Sequence, residues 1–282
     1  MLAVGALAGC GDRPREVSPA PGRLDEATVD MITGSGDYAD RHHRVDVAEV
    51  ELTRRCMRAA GFTWAGAANP ANPEAKEGGG VSIDYLRRHG YGLSEESAGT
   101  GPEKFGPVVD DTAMRRALLG AEDDLVELRS PAGVRYRYPR QGCAARASIA
   151  IYGDLDTWAR ISYQPQELNL RLGVQAKTDP RYAAKLQEWR DCMAAKHYSY
   201  DSPNAIVAGL TEAYRTDRRP LAERRAAEIT IAMQDVSCDK QVRLSVTGLA
   251  IRRENAQHLD AADRAEMARL STLFATAERK IG

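Results

Sequence analysis

The sequence is poor in aromatic residues: three Phe, three Trp and eleven Tyr among 282 residues, 6% in all. A broad stacking surface for bases or sugar rings is therefore not expected. It also lacks a surplus of either charge. Lys+Arg number 39 and Asp+Glu 40, a formal net charge of −1. That balance excludes a polybasic nucleic-acid interface and an acidic tail for a cationic partner. No apolar run approaches the roughly 18 to 20 residues that a bilayer-spanning helix needs. The chain contains no H-E-x-x-H, no G-x-S-x-G, no G-x-x-x-x-G-K-[ST] and no C-x-x-C. The common catalytic, phosphate-binding and metal spacings are thus missing, and no cofactor or metal is expected. What remains is a globular composition, 43% hydrophobic and 28% charged. Its abundant Ala and Arg favour helix, since both lose little on entering one.

The first ten residues read M-L-A-V-G-A-L-A-G-C. Leu7-Ala8-Gly9-Cys10 resembles a bacterial lipobox, in which signal cleavage leaves the cysteine to be acylated. The apolar run is short and no Lys or Arg precedes it; an n-region upstream of Met1 would account for both. Residues 1–10 then form a lipoprotein signal segment ending at Cys10, the expected lipidation site. The protein would be anchored to the membrane rather than threaded through it. Residues 11–40 hold Pro14, Pro19, Pro21, Gly22, Gly34 and Gly36 with little apolar periodicity, which suggests a flexible tether.

Beyond residue 40 the chain repeats itself. Residues 50–64 read V-E-L-T-R-R-C-M-R-A-A-G-F-T-W and residues 185–200 read K-L-Q-E-W-R-D-C-M-A-A-K-H-Y-S-Y. The offset 192 − 56 = 136 sets Cys56 on Cys192 and also aligns Arg54 with Arg190, Met57 with Met193 and Phe62 with Tyr198. Each copy is followed by a second cysteine, Cys143 or Cys238, with Gly153 or Gly248 ten residues further on. The expected fold is mainly α, a helical bundle of two pseudo-duplicated disulfide-closed units, residues 41–177 and 178–282. Val45, Ala48, Leu52, Cys56 and Ala59 recur at helical steps, and Gly61 supplies the left-handed stop. Helices are expected over 82–89, 111–119, 141–152, 154–177, 204–214 and 261–280, with 95–109 as loop. Pro165 kinks or divides the fourth of these. Asp179-Pro180 starts the helix of the second copy. The longest stretch runs from 221 to about 257 with a weak point at Gly248. Alternation on both sides of Ser-Pro-Ala-Gly predicts one short β-hairpin over 125–138.

A protein anchored in this way folds outside the cytoplasm, where thiols oxidise. The four remaining cysteines allow three pairings. The duplication favours Cys56–Cys143 and Cys192–Cys238, one early and one late cysteine per unit. Cys56–Cys192 with Cys143–Cys238 stays as the alternative. The favoured bridges span 143 − 56 = 87 and 238 − 192 = 46 residues, for which the chain-entropy model gives about 4 to 5 kcal/mol each.

At this point the residues resemble the secreted lipoproteins common in high-GC Gram-positive bacteria. The likeness rests on the lipobox, on Trp189, Cys192, Met193, Tyr198 and Pro203, on Gly142, Cys143, Ala147, Tyr152 and Gly153, and on Ile231, Ala232, Asp235 and Cys238. It covers most of the chain past Val45. His197 departs from it, standing where such sequences often have glycine. The resemblance implies no particular activity.

Candidate chemistry is sparse. His42, His43, Asp46 and Glu49 lie within two turns of one expected helix, and His43, Asp46 and Glu49 share a face that could hold a metal. Their place beside the tether favours a solvated helix start instead. His89 and His197 are lone histidines near turns. Asp123-Asp124 and Glu95-Glu96 are adjacent pairs that diverge on a helix, whereas catalytic carboxylates must converge. Trp158 and Trp189 fit a core, and Tyr91, Tyr136 and Tyr138 fit either packing or the rim of a groove. No catalytic residue is assigned. The reading is a membrane-anchored extracytoplasmic lipoprotein that binds an envelope protein, a peptide or a wall component without chemistry. Its alternatives are a cell-envelope hydrolase with a site built from distant residues and a small-molecule-binding lipoprotein serving a transporter.

Overall fold

The structure, a computed structural model, describes residues 22–97 and 111–282. The expected lipobox with Cys10, the first part of the tether and most of the 95–109 loop lie outside them. Among the described residues the fold is mainly helical, with one two-stranded antiparallel sheet. The first half contains α1 (Glu26–Thr33), α2 (Gly36–Ala59), a 3-10 helix (Pro73–Glu77), α3 (Ile83–His89), α4 (Leu93–Ser97) and α5 (Thr112–Leu119). The hairpin β1 (Leu125–Arg129) and β2 (Arg135–Pro139) follows, then α6 (Gly142–Tyr152) and α7 (Leu155–Ala176). The second half contains α8 (Pro180–Ala195), α9 (Pro203–Thr216), α10 (Leu221–Val242), α11 (Leu244–Ala256) and α12 (Ala261–Arg279). The disulfides join Cys56 to Cys143 and Cys192 to Cys238, the within-unit pairing.

The duplicated segment keeps its geometry in both copies. Met57 and Met193 are fully buried. Phe62 N–H donates to Met57 O at 2.9 Å, and Tyr198 N–H to Met193 O at 3.0 Å. The preceding residue is left-handed in each copy, Gly61 at φ 86° and His197 at φ 67°. Glycine takes that conformation without a Cβ clash, so the departure at His197 carries a local strain. Arg54 donates to Gly66 O at 2.7 Å and Arg190 to Asp201 O at 2.8 Å, so each copy ties its trailing loop back to the helix.

Three expectations change. The tether is shorter than 11–40, because α1 lies within it, capped by the Asp25 side chain, with Val29, Met31 and Ile32 buried. In sequence the run Ala27-Thr28-Val29-Asp30-Met31 offers no more than a turn of helix between the prolines and glycines that flank it. Asp30 of α1 pairs with Arg253 of α11, and a Cβ on Gly36 would collide with the Asp30 carboxylate, so glycine opens α2. Residues 95–97 close α4 rather than belong to a loop. The long C-terminal helix breaks at Arg243, not at Gly248. Arg243 takes φ 62°, and Asp239 Oδ1 accepts from Ser245 N–H at 2.8 Å to start α11. Gly248 lies inside α11, where a Cβ would meet the Tyr182 ring of α8 at 3.3 Å. Gly153, in contrast, does end α6, so the two glycines are not structural equivalents. Pro165 is accommodated within a continuous α7.

The packing interleaves the two halves. One core gathers Ile32, Val45, Ile161 and Leu172 with Leu270 and Phe274, so α12 from the second half completes the first. A second gathers Trp189, Met193, Ile206, Ile231 and Cys238, with Tyr91 and Leu93 packed against it. There the first half lends the α3–α4 segment to the second half. Two smaller clusters, around Met57 and around Tyr138, lie within the first half. A boundary at residue 178 describes the disulfides but not the two larger cores.

Candidate functional site

α10 carries two acids on its inner side, Glu228 and Asp235, seven residues and hence about two turns apart. Both meet the Gly90–Ser94 turn brought over from the first half. Glu228 is fully buried. Its Oε1 accepts from Leu93 N–H at 2.9 Å, and its Oε2 from Ser94 N–H at 3.1 Å and Tyr214 O–H at 2.7 Å. The turn approaches so closely that a Cβ on Gly90, already at φ 62°, would lie 2.6 Å from Glu228 Cγ. A buried carboxylate is tolerated here because donors surround it.

Asp235 is held in the same manner. Tyr91 O–H donates to Oδ2 at 2.8 Å, and the indole N–H of the buried Trp189 donates to Oδ1 at 2.9 Å. Burial pushes the Asp235 carboxyl up from its ordinary value, while the two hydrogen bonds pull it back. The Tyr91 phenol is raised, first by burial and then by the neighbouring Asp235 charge.

Beside this network lies a cleft of about 810 Å³, within the range of small-ligand sites. One wall is the 3-10 helix, the Gly79-Gly80 stretch and α3; the other is the C-terminal half of α10 with the starts of α9 and α11. Val81, Ile83, Val207, Val236 and Val246 give it an apolar surface, and Asp235 and Tyr91 reach into it. Of the three tyrosines named from the sequence, only Tyr91 lines this cleft. Tyr136 stacks on Tyr163 at 4.2 Å and Tyr138 meets Trp158 edge-on at 5.3 Å, which packs the hairpin on α7.

The helical run of His42, His43, Asp46 and Glu49 does not converge. His42, His43 and Asp46 line a separate cavity of about 260 Å³ between α2 and α7. Desolvation lowers the His42 pKa against the pull of the neighbouring Asp46 charge. Asp46 Oδ2 accepts from Asn69 N–H at 3.0 Å. Glu49 turns away to accept from the Ser148 hydroxyl of α6, and burial pushes its carboxyl up to about 7. Among the described residues no group of three or more His, Cys, Asp or Glu is arranged to hold a metal. His89 bonds Glu95 Oε1 at 2.6 Å and stacks on Tyr85 at 4.6 Å. His197 is exposed at the end of α8, and Asp124 pairs with Arg140 at 3.0 Å.

Sequence reasoning met Asp235 only inside the I-A-x-x-D-x-x-C element and missed Glu228 entirely. The available signal was two acids, Glu228 and Asp235, set in a helical stripe otherwise made of Ile231, Ala232 and Cys238. Compared with protein-family models, curated proteins and solved structures, the chain matches none.

Proposed function

We propose that the protein is a membrane-anchored extracytoplasmic lipoprotein acting as a non-enzymatic binding module, with the α3–α10 cleft as its binding site. The observation that carries the reading is a large, partly apolar cleft whose inner carboxylate is already committed to Tyr91 and Trp189. A group engaged through both oxygens serves architecture better than proton transfer. Two disulfides suit an oxidising compartment, and the Leu7-Ala8-Gly9-Cys10 segment supplies the anchor. The ligand is an envelope protein, a peptide or a wall component. The raised Asp235 carboxyl favours the second reading, an envelope hydrolase.

One experiment separates these. The full chain is extracted from membranes, immobilised and challenged with an envelope fraction. Retention should be lost in Val236→Arg, which fills the cleft, and kept in Cys10→Ala, which should instead leave the membrane fraction. Retained material released in cleaved form would establish the hydrolase. Retention unaffected by Val236→Arg would remove the cleft from the account, and unchanged membrane partitioning of Cys10→Ala would remove the anchor.

A further inference from the structure

The two disulfides hold matching places in the duplication but stand in unlike surroundings. Cys56 and Cys143 both line a cleft of about 670 Å³ between α2, α5 and α6. Its charged residues are Arg116 of α5 and Arg146 of α6, and no acid lines it among the described residues. Apart from Gln141, the rest of the lining is alanine and glycine, so no bulky side chain shields the bridge from that side. Both arginines are exposed, and neither has a hydrogen-bond or ion-pair partner among the described residues. Cys143 is the second residue of α6, an eleven-residue helix with no capping side chain and no acid in its first turn. The N–H groups at such a helix start carry partial positive charge, which favours a thiolate over a thiol, and arginines nearby act in the same sense. Cys56 lies in the last turn of α2, where the carbonyl end of the helix has the opposite effect. Cys56 is half-buried and Cys143 buried, so a reagent in the cleft meets Cys56 first.

The second bridge is set differently. Cys192 and Cys238 both lie near the C-terminal ends of their helices, α8 and α10, with Asp191 and Asp239 beside them in the chain. Cys238 is fully buried in the core around Trp189. Neither sulfur is placed to leave as a thiolate.

We infer that Cys56–Cys143 is a thiol-exchange site whose co-reactant is a dithiol, and that Cys192–Cys238 is a permanent bridge. The first thiolate of the dithiol attacks the Cys56 sulfur, the Cys56–Cys143 bond breaks, and Cys143 leaves as a thiolate at the start of α6. The second thiol gives its proton to solvent and attacks the dithiol's own sulfur in the mixed disulfide. Cys56 is released and takes up a proton. The dithiol is thereby oxidised to a disulfide and the bridge reduced to two cysteines. No part of this exchange involves the α3–α10 cleft.

The test treats the full folded chain, without denaturant, with dithiothreitol as the dithiol. Samples are quenched with N-ethylmaleimide over time and mapped by mass spectrometry. Cys56 and Cys143 should be labelled at least about tenfold faster than Cys192 and Cys238. With the monothiol 2-mercaptoethanol, the first adduct should sit on Cys56, with Cys143 carrying the label. Arg116→Gln combined with Arg146→Gln should slow this opening severalfold and leave the Cys192–Cys238 rate unchanged, which also reports that the variant is folded. Arg116→Lys with Arg146→Lys should restore the rate. Equal rates for the two bridges, a first adduct on Cys143, or a rate indifferent to the glutamine pair overturns the inference. So does an opening rate that climbs with urea in step with global unfolding, since the bridge would then be reached only in the unfolded chain.

Discussion

At the scale of single residues, burial decides what the helical periodicity leaves open. Glu49 sits on a helix face that looks solvated in sequence, yet it is drawn against Ser148 and its carboxyl rises from 4.5 to about 7. A carboxyl raised in the folded state favours folding while protonated. Its contribution is full below about pH 4.5 and is lost as pH climbs through 7, by up to about 3 kcal/mol. Glu49→Gln keeps a partner for the Ser148 hydroxyl without the charge. Urea midpoints at pH 5 and pH 8 should differ less in the variant than in the wild type, with the variant the more stable at pH 8; identical pH slopes would refute the assignment. His197 is the second case. It is exposed and left-handed at the position where the other copy has Gly61. His197→Gly should stabilise the protein by about 1 kcal/mol, read as a higher urea midpoint with the same slope. A lower midpoint would show that the side chain earns its place by another contact.

Element by element, capping and periodicity were legible wherever the signal was local. Asp179 caps α8 as Asp179-Pro180 predicts, α5, α7 and α12 begin within a residue of the starts expected at 111, 154 and 261, and the hairpin closes at Ser130–Gly133 as its alternation predicts. The signal failed where the cause is distant. Nothing near Gly248 reveals that Tyr182 packs against it, and nothing near Leu93 reveals that α4, only five residues long, is pinned by Glu228 from α10. Glu228→Ala strands two backbone N–H groups and the Tyr214 hydroxyl. It should cost about 3 kcal/mol or more in urea unfolding and open residues 93–97 to protease cleavage, whereas Glu228→Gln should cost less. Wild-type resistance to cleavage in the alanine variant would mean that α4 is held by its apolar contacts instead.

For the whole molecule, the duplication read from sequence is real in backbone detail and incomplete as a division of the fold. Met57 and Met193, with the turns that follow them, superpose in role. The partners that finish the two larger cores come from the other half, and no pattern within one copy encodes them. The candidate cleft was illegible for the same reason, since its two sides come from residues 74–91 and 203–246. A chain of residues 178–282 alone would expose the Phe274 and Leu270 face and lose Tyr91 and Leu93 from around Trp189. It should lack the single cooperative urea transition and the near-ultraviolet signal that the full chain is expected to give. A cooperative transition in that fragment would restore the two-module view.

The place of α12 in the first core sets a timetable for the molecule. Phe274 and Leu270 belong to the same buried cluster as Val29 and Ile32, yet some 240 residues of synthesis separate them (274 − 32 = 242). While the chain is being made, its opening helices can meet α6 and α7, but the side of their core that α12 fills stays open until the last residues arrive. A first core that needs the last helix closes only when the whole chain is present.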